Sequence, residues 1–378
     1  MKERPFRSIE EHFEEISDPR QGQNVQHKLL DIIIIAICGV ICGADGWVEI
    51  ENFGCQKEIW LKKFLELPKG IPSHDTFGRV FERIDPEEFQ HSFMEWVRAI
   101  QEITQGQVIG VDGKQLRRSH DMSVGRRALY MVNAWAETNH LVLGQRKVDE
   151  QSNEITAIPE LLKLLEIRGC IVTIDSIGTQ KKIAKTILSC EADYVLAVKD
   201  NQGNLHQDIR YLFEYDQRND FQDAPYKYVK TVNKGHGRIN VRHCWATDDP
   251  EYLASIREHH KWSGLQSIAM VITERITEQN ISSETRFYIS SLAGNAKQIL
   301  HAVRGHWVVE NGLHWVLDIA FDEDQSRVRK DHAPANLAVL IQMAVNLLKQ
   351  EKSAKGGIKA KRLQAGWNEN YLLTVLSG

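Results

Sequence analysis

Val108-Ile109-Gly110-Val111-Asp112-Gly113-Lys114-Gln115-Leu116-Arg117-Arg118 reads as a strand running into a basic turn. Valine and isoleucine cluster, no helical period is present, and the run has strand length. Asp112 sits near its middle. Cys170-Ile171-Val172-Thr173-Ile174-Asp175 repeats the pattern, an apolar β-branched run ending on an aspartate. A strand buried on both faces rarely carries an acid without a use for it. Two such strands side by side would bring two carboxylates together, which suits divalent-metal binding. Each aspartate also has a plainer reading. Asp112-Gly113 fits a hairpin turn, although the strand-like Lys114-Gln115-Leu116 continues past it. Asp175-Ser176 fits a cap on a following helix.

Around these two runs the pattern alternates. Strands are expected at 107–116, 128–136 and 141–148, then a helix at 158–166 and the strand ending at Asp175. A helix at 180–190 and a strand at 193–198 follow. The order β-β-β-α-β-α-β is that of a ribonuclease-H-like mixed sheet, an α/β fold in which the first and fourth strands are neighbours. Asp112 and Asp175 would then lie side by side. Beyond 200 a helix is expected at 204–215, with strands at 226–232, 238–245, 266–274 and 285–290. Lys227, Lys230, Lys234, Arg238 and Arg242 interleave there with Tyr226, Tyr228 and Trp245, and 226–245 contains no acid. Such a face suits a phosphate backbone with stacking contacts, and equally a solvated sheet face.

The flanks are helical. Residues 10–16 form a polar helix that stops before Asp18-Pro19. Ile32 to Ala44 is 13 residues of apolar side chains or glycine, short of the ~20 a membrane helix needs. It predicts a buried helix and a cytoplasmic protein with no membrane partner. Another helix is expected at 47–65. In Gly70-Ile71-Pro72-Ser73-His74-Asp75-Thr76, Ser73 is an N-cap, and Thr76 and Arg79 project from the first turns beyond it. This fits a helix-turn-helix recognition element, and equally a capped surface helix in a bundle. Helices at 297–321 and 334–348 carry strong periodicity, and Lys349, Lys352, Lys355, Lys359, Lys361 and Arg362 make a basic tail.

With 378 residues, two or three domains are expected. The expected division is a helical DNA-recognition domain at 1–100 and a catalytic core at 101–200. A β-rich insertion at 201–292, the core's C-terminal helices at 293–350 and the tail at 351–378 complete it. A net charge of −4 argues mildly against bulk electrostatic DNA binding, but local patches decide that matter. Six cysteines (Cys38, Cys42, Cys55, Cys170, Cys190 and Cys244) form no C-x-x-C pair. They predict small buried thiols in a reducing compartment, not a zinc site.

An ordered set of motifs resembles the DDE transposases of bacterial insertion sequences, of the H-repeat-associated type. It includes Asp18-Pro19-Arg20, Ile71-Pro72-Ser73-His74-Asp75-Thr76 and Val111-Asp112-Gly113-Lys114. Ser152-Asn153-Glu154-Ile155-Thr156-Ala157-Ile158-Pro159 and Thr173-Ile174-Asp175 follow. Ala197-Val198-Lys199 with Asn201-Gln202, His236-Gly237-Arg238 and Tyr288-Ile289-Ser290-Ser291 come next. The last is His306-Trp307-Val308-Val309-Glu310-Asn311 with Leu313-His314-Trp315 and Leu317-Asp318. The set spans nearly all of 1–350. The resemblance implies a catalytic and metal-holding triad of Asp112, Asp175 and Glu310, two Mg²⁺ ions with Mn²⁺ as a substitute, and double-stranded DNA, both transposon ends and target, as partner. It also implies a homodimer in the active DNA complex. Larger relatives carry Tyr-x2-Arg-x3-Glu-x6-Lys around the glutamate, and here those places hold Val303, His306, Glu310 and Leu317. Arg304, His306 and Trp307 become the candidates for holding the DNA terminus. Position 200 is Asp where glycine is expected.

Spacing agrees. Asp112 and Asp175 are 63 residues apart, room for two strands and a helix, whereas 135 residues separate Asp175 from Glu310 and require an insertion. On a continuous helix, Val303, Glu310 and Leu317 share one line, which places Glu310 on the buried stripe. Asp318 falls at the stripe's edge, and Asp322, Glu323 and Asp324 fall beyond reach of the strand tips. Expected DNA contacts are Ser73, Thr76, Arg79, Lys114, Arg117, Arg118, Lys199, Lys227, Lys230, Arg238, Arg242, Arg304, His306 and Trp307. His306 and His314 stand at a spacing unlike a zinc pair. A transposase is the leading expectation. The rivals are a same-fold nuclease without strand transfer and a catalytically inactive DNA-binding derivative.

Overall fold

The computed structural model describes residues 7–20, 25–100, 105–120, 127–148, 153–222, 224–235 and 237–377; Ser152 and His236 of the motifs above lie outside them. Five helices come first: α1 (Arg7–Phe13), α2 (Leu29–Ile41), α3 (Trp47–Leu61), α4 (His74–Arg83) and α5 (Pro86–Ile100). Next are β1 (Val108–Gln115), β2 (Tyr130–Ala136), β3 (Leu141–Lys147), α6 (Glu154–Leu164), β4 (Ile171–Ile174), α7 (Lys181–Ser189) and β5 (Asp193–Val198). Then come α8 (Asn204–Arg218), β6 (Lys227–Gly235), β7 (Arg238–Thr247), α9 (Pro250–Ser255), β8 (Ser267–Ile276) and β9 (Ile281–Ser290). The chain ends in α10 (Ala296–Val309), α11 (Trp315–Ala320), α12 (Ala333–Gln350), α13 (Ile358–Trp367) and α14 (Glu369–Leu376).

The nine strands of the described residues join one mixed sheet in the order β3-β2-β1-β4-β5-β9-β8-β7-β6. β1, β4 and β5 run parallel, and the remaining pairings are antiparallel. The strands expected between 226 and 290 thus extend the central sheet through the β5–β9 pairing. β4, Ile-Val-Thr-Ile, is buried at every position, which explains its unbroken apolar run. β1 passes through Asp112-Gly113 to Gln115, paired with β2 all the way, so no hairpin turn forms there.

Side chains alternate along β1, so Val108, Gly110, Asp112 and Lys114 share one face. On that face α10 crosses the sheet. A Cβ on Gly110 would stand 2.2 Å from Val309 Cγ2, and one on Gly305 would stand 2.7 Å from Val108 Cγ1. Bare backbone at these two places lets helix and strand approach, and this sets where the helix ends. α12 covers β2 and β3 on the same face, where Gln342 Nε2 donates to Asn133 Oδ1 at 2.7 Å and to Gln145 Oε1 at 2.6 Å. Helices α6, α7 and α8 pack on the sheet's opposite side.

One expectation is corrected, and two packing features go beyond the expectations. The helix expected at 297–321 is not continuous: a π turn, Glu310–His314, separates α10 from α11. The helices before residue 100 share one hydrophobic core with the rest, because α12, buried from Ala333 to Leu348, packs on α2, α4, α5 and β3. The basic tail is helical and docked. Arg362 is 4% exposed and donates to the carbonyls of Val40, Ala44 and Ala320 and to Asp45, and Lys361 donates to the carbonyls of Leu348 and Glu351. These cations satisfy the loose carbonyls at the ends of α2 and α12.

Candidate active site

The last β1–β4 pair is Val111↔Ile174, so Asp112 and Asp175 each follow directly on it, Asp112 within β1 and Asp175 just past the C-terminal end of β4. Glu310 opens the π turn, one residue after the valine that packs on Gly110. All three acids line one groove of about 320 Å³, together with Thr173, His306 and Trp307. Glu310 is exposed at the groove, not buried on the stripe expected for it, although Val303 and Leu317 are 5% and 1% exposed. The reason is local. Val309 occupies the contact with the strand, and the π turn that starts at Glu310 breaks the 100° step between Glu310 and Leu317.

Asp112 is largely taken out of water. Its pKa is pushed up to about 7, by burial first and then by the charges of Asp175, Glu310 and Glu154, against the Gly113 N–H that donates to its Oδ1 at 2.9 Å. Among the described residues no lysine or arginine pairs with Asp112, Asp175 or Glu310. Asp175 Oδ1 accepts from the backbone N–H of Ile177 and Gly178, so it closes the turn after β4, while α7 begins only at Lys181. His314 Nδ1 stands 3.6 Å from Asp112 Oδ2. Its pKa is pulled down to about 4, mainly by burial and further by Lys114 and His306, so the ring is neutral near pH 7. Burial likewise lowers the pKa of His306, whose Nδ1 is 3.4 Å from Thr173 Oγ1. Neither imidazole then compensates the acids. Among the described residues no three His, Cys, Asp or Glu side chains are closed up into a metal cage. An uncompensated set of hard oxygen donors nonetheless has the chemistry that Mg²⁺ selects.

Residues 103–347 match the family described as "Transposase DDE domain", and residues 10–97 match the one described as "DDE_Tnp_1-associated". This chain belongs to the DDE transposase domain family. It is 41% identical to "Putative transposase YncI" of Escherichia coli O157:H7 over 98% of this chain and 95% of that one. It is 39% identical to "H repeat-associated putative transposase YhhI" of Escherichia coli strain K12 over 99% of this chain and 98% of that one.

Around this transposase-family groove, the basic residues singled out in the sequence separate into groups. Lys114 is corrected outright. It is 8% exposed, and its Nζ binds Asp318 at 2.6 Å, Glu323 at 2.8 Å and Asp324 at 3.4 Å. It therefore ties β1 to the chain after α11 and is not free for phosphate, and the acids beyond 317 do reach the strand. Arg117 is exposed beside Asp324, and the carbonyl of Arg118 accepts from Arg329 Nε. Lys199 is exposed and lines the groove. Trp307, 37% exposed, carries the Arg286 guanidinium 4.2 Å from its ring centroid. The register divides the strand cations. Lys227, Arg238 and Arg242 lie on the face that carries Asp112, while Lys230 and Lys234 lie on the opposite face with Tyr228 and His243. Burial, then the nearby charges of Arg304, Arg275 and Arg238, lower the pKa of Arg242, so four arginines crowd together.

At α4, Ser73 caps the helix by accepting from the Thr76 N–H. Arg79 is exposed and reaches Asp75 at 3.8 Å, beside a cleft whose lining includes Asp45, Glu49, Glu82 and Asp322. Sequence reasoning missed Glu154, Tyr130, Arg275 and Arg286. Nothing in their own local pattern sets them apart; the fold brings Arg286 to the groove, Glu154 and Tyr130 against Gly113 beside Asp112, and Arg275 near Arg242.

Proposed function

We propose that this chain is a metal-dependent DNA transposase. It cuts phosphodiester bonds at the ends of its own insertion sequence and joins the freed 3′-hydroxyl to target DNA. One observation supports the proposal: acids from β1, from just after β4 and from the π turn after α10 line a single groove, and among the described residues no lysine or arginine pairs with any of them. The arrangement of β1 to β5 with α6 and α7 supports a ribonuclease-H-like core. Asp112, Asp175 and Glu310 would hold Mg²⁺, with Mn²⁺ as a substitute. When bound, such ions stabilise the attacking and the leaving oxygen of an in-line displacement. The chain's own residues do the rest. Trp307 and Arg286 form a lip where a base can stack and a phosphate can pair. Arg238, Arg242, Arg275 and Arg304 continue the positive surface along the same sheet face. Their partner is double-stranded DNA, bound by a homodimer in the cytoplasm.

Incubation with duplexes carrying the element's own terminal repeats tests this. Mg²⁺-dependent nicking at the repeat ends, and joining of a pre-cleaved end to a plasmid, are expected. Cleavage without joining would assign a nuclease, and the absence of both would assign an inactive derivative.

A further inference from the structure

β1 outruns β4. Past the Val111↔Ile174 pair, Asp112 to Gln115 are paired to β2 alone, leaving the other edge of β1 open. Asp112 approaches that opening from one face. On the other face Gly113 offers bare backbone, and Glu154 lies against it. A Cβ at Gly113 would stand 2.4 Å from both Glu154 Oε2 and Tyr130 Oη. Glu154 is on the first turn of α6, whose N-cap Asn153 accepts from the Ile155 N–H. Tyr130 Oη donates to Glu154 Oε2 at 2.9 Å. Among the described residues no basic side chain pairs with Glu154. The contrast with the Lys114 acids is informative: acids that serve only to hold the fold there have a buried cation. Glu154 instead has a phenol that fixes its direction and supplies no positive charge, and it lies close enough to Asp112 for its charge to raise the pKa there.

We propose that Glu154 is a fourth acid of the cluster, a positioning residue that Tyr130 holds against Gly113 so that its charge strengthens divalent-cation binding by Asp112 and Asp175. The inference rests on the reading of those acids as a metal site. It assigns Gly113 a function as well: the missing side chain makes room for the carboxylate.

Mn²⁺ binding to the full chain, followed by electron paramagnetic resonance without DNA, tests it. Glu154→Gln is expected to weaken Mn²⁺ binding by about 10-fold or more, a typical cost of losing a group that supports a metal ligand. Gly113→Ala should do the same by pushing the carboxylate away, and Glu154→Asp should recover part of the affinity. With DNA present, raised Mn²⁺ should restore the cleavage rate of Glu154→Gln, because the loss lies in cation affinity. Asp112→Asn separates the two readings. If it binds Mn²⁺ like wild type, the metal site itself is wrong. If it loses Mn²⁺ while Glu154→Gln binds normally, only the fourth acid is wrong. A Glu154→Gln protein that melts well below wild type in EDTA, and whose Mn²⁺ affinity Glu154→Asp does not recover, would make Glu154 a structural residue and overturn the proposal.

Discussion

Asp112 is held where its own charge is unwelcome without a cation. An ordinary aspartate titrates near 3.8, and here the folded value is about 7. Between those values the folded state binds the proton more tightly than the unfolded chain. The stability this contributes is complete below about pH 4 and is lost as pH rises through 7. In EDTA the melting temperature should therefore fall over that window, and Mg²⁺ should restore it at neutral pH. Asp112→Asn should flatten the metal-free profile and raise its neutral end, while ending cleavage; a thermal-shift series over pH reads this, and an unchanged profile would show that Asp112 is not so burdened. Asp112 and Asp175 were legible because an acid ending a β-branched run is costly enough to be conspicuous. Lys114 was misjudged because its three carboxylate partners lie some 200 residues away. Glu154 was illegible because the helix was expected only from 158, whereas α6 begins at Glu154 itself, and only the bare backbone of Gly113 marks it.

At the level of elements, the site depends on how closely α10 lies on β1. Gly110 and Gly305 permit that approach, and Val309 fills it just before Glu310. Gly110→Ala should push the helix end away. The expected cost is about 1–3 kcal/mol of stability, typical of overpacking, with at least a tenfold loss of cleavage at unchanged DNA affinity. Cleavage at the wild-type rate would show that this approach does not set the site. Lys114→Met should cost more, about 3–5 kcal/mol, because it strands buried acids; denaturant unfolding measures it, and a loss below 1 kcal/mol would refute the clamp. The strands were readable from their apolar runs and turn residues, and β5 falls at the expected residues. The break at Glu310 was not, because a 3.6-residue pattern persists on both sides of a π turn and carries no mark of the extra residue within it.

For the whole molecule, the sheet gives the cations their meaning. Alternation along β6 and β7 puts Arg238 and Arg242 on the face with Asp112 and turns Lys230 away. Replacing Arg242 or Arg275 with alanine should reduce the slope of log affinity against log salt by about one unit each, whereas Lys230→Ala should leave it unchanged. Equal effects from all three would mean that DNA does not follow this face. Strand periodicity held the information needed for this division, but the pairing register that applies it exists only in the folded sheet. The docked α13 shows the same limit, since a run of lysines looks like a solvated tail until the open helix ends it caps are in place. The account stands on three acids acting as one site, and Glu310 is the member whose expected burial the structure did not bear out. The direct measurement is cleavage of a terminal-repeat duplex by Glu310→Gln in Mg²⁺, with DNA affinity measured alongside. The account predicts wild-type affinity with no detectable cleavage; cleavage at the wild-type rate would contradict it.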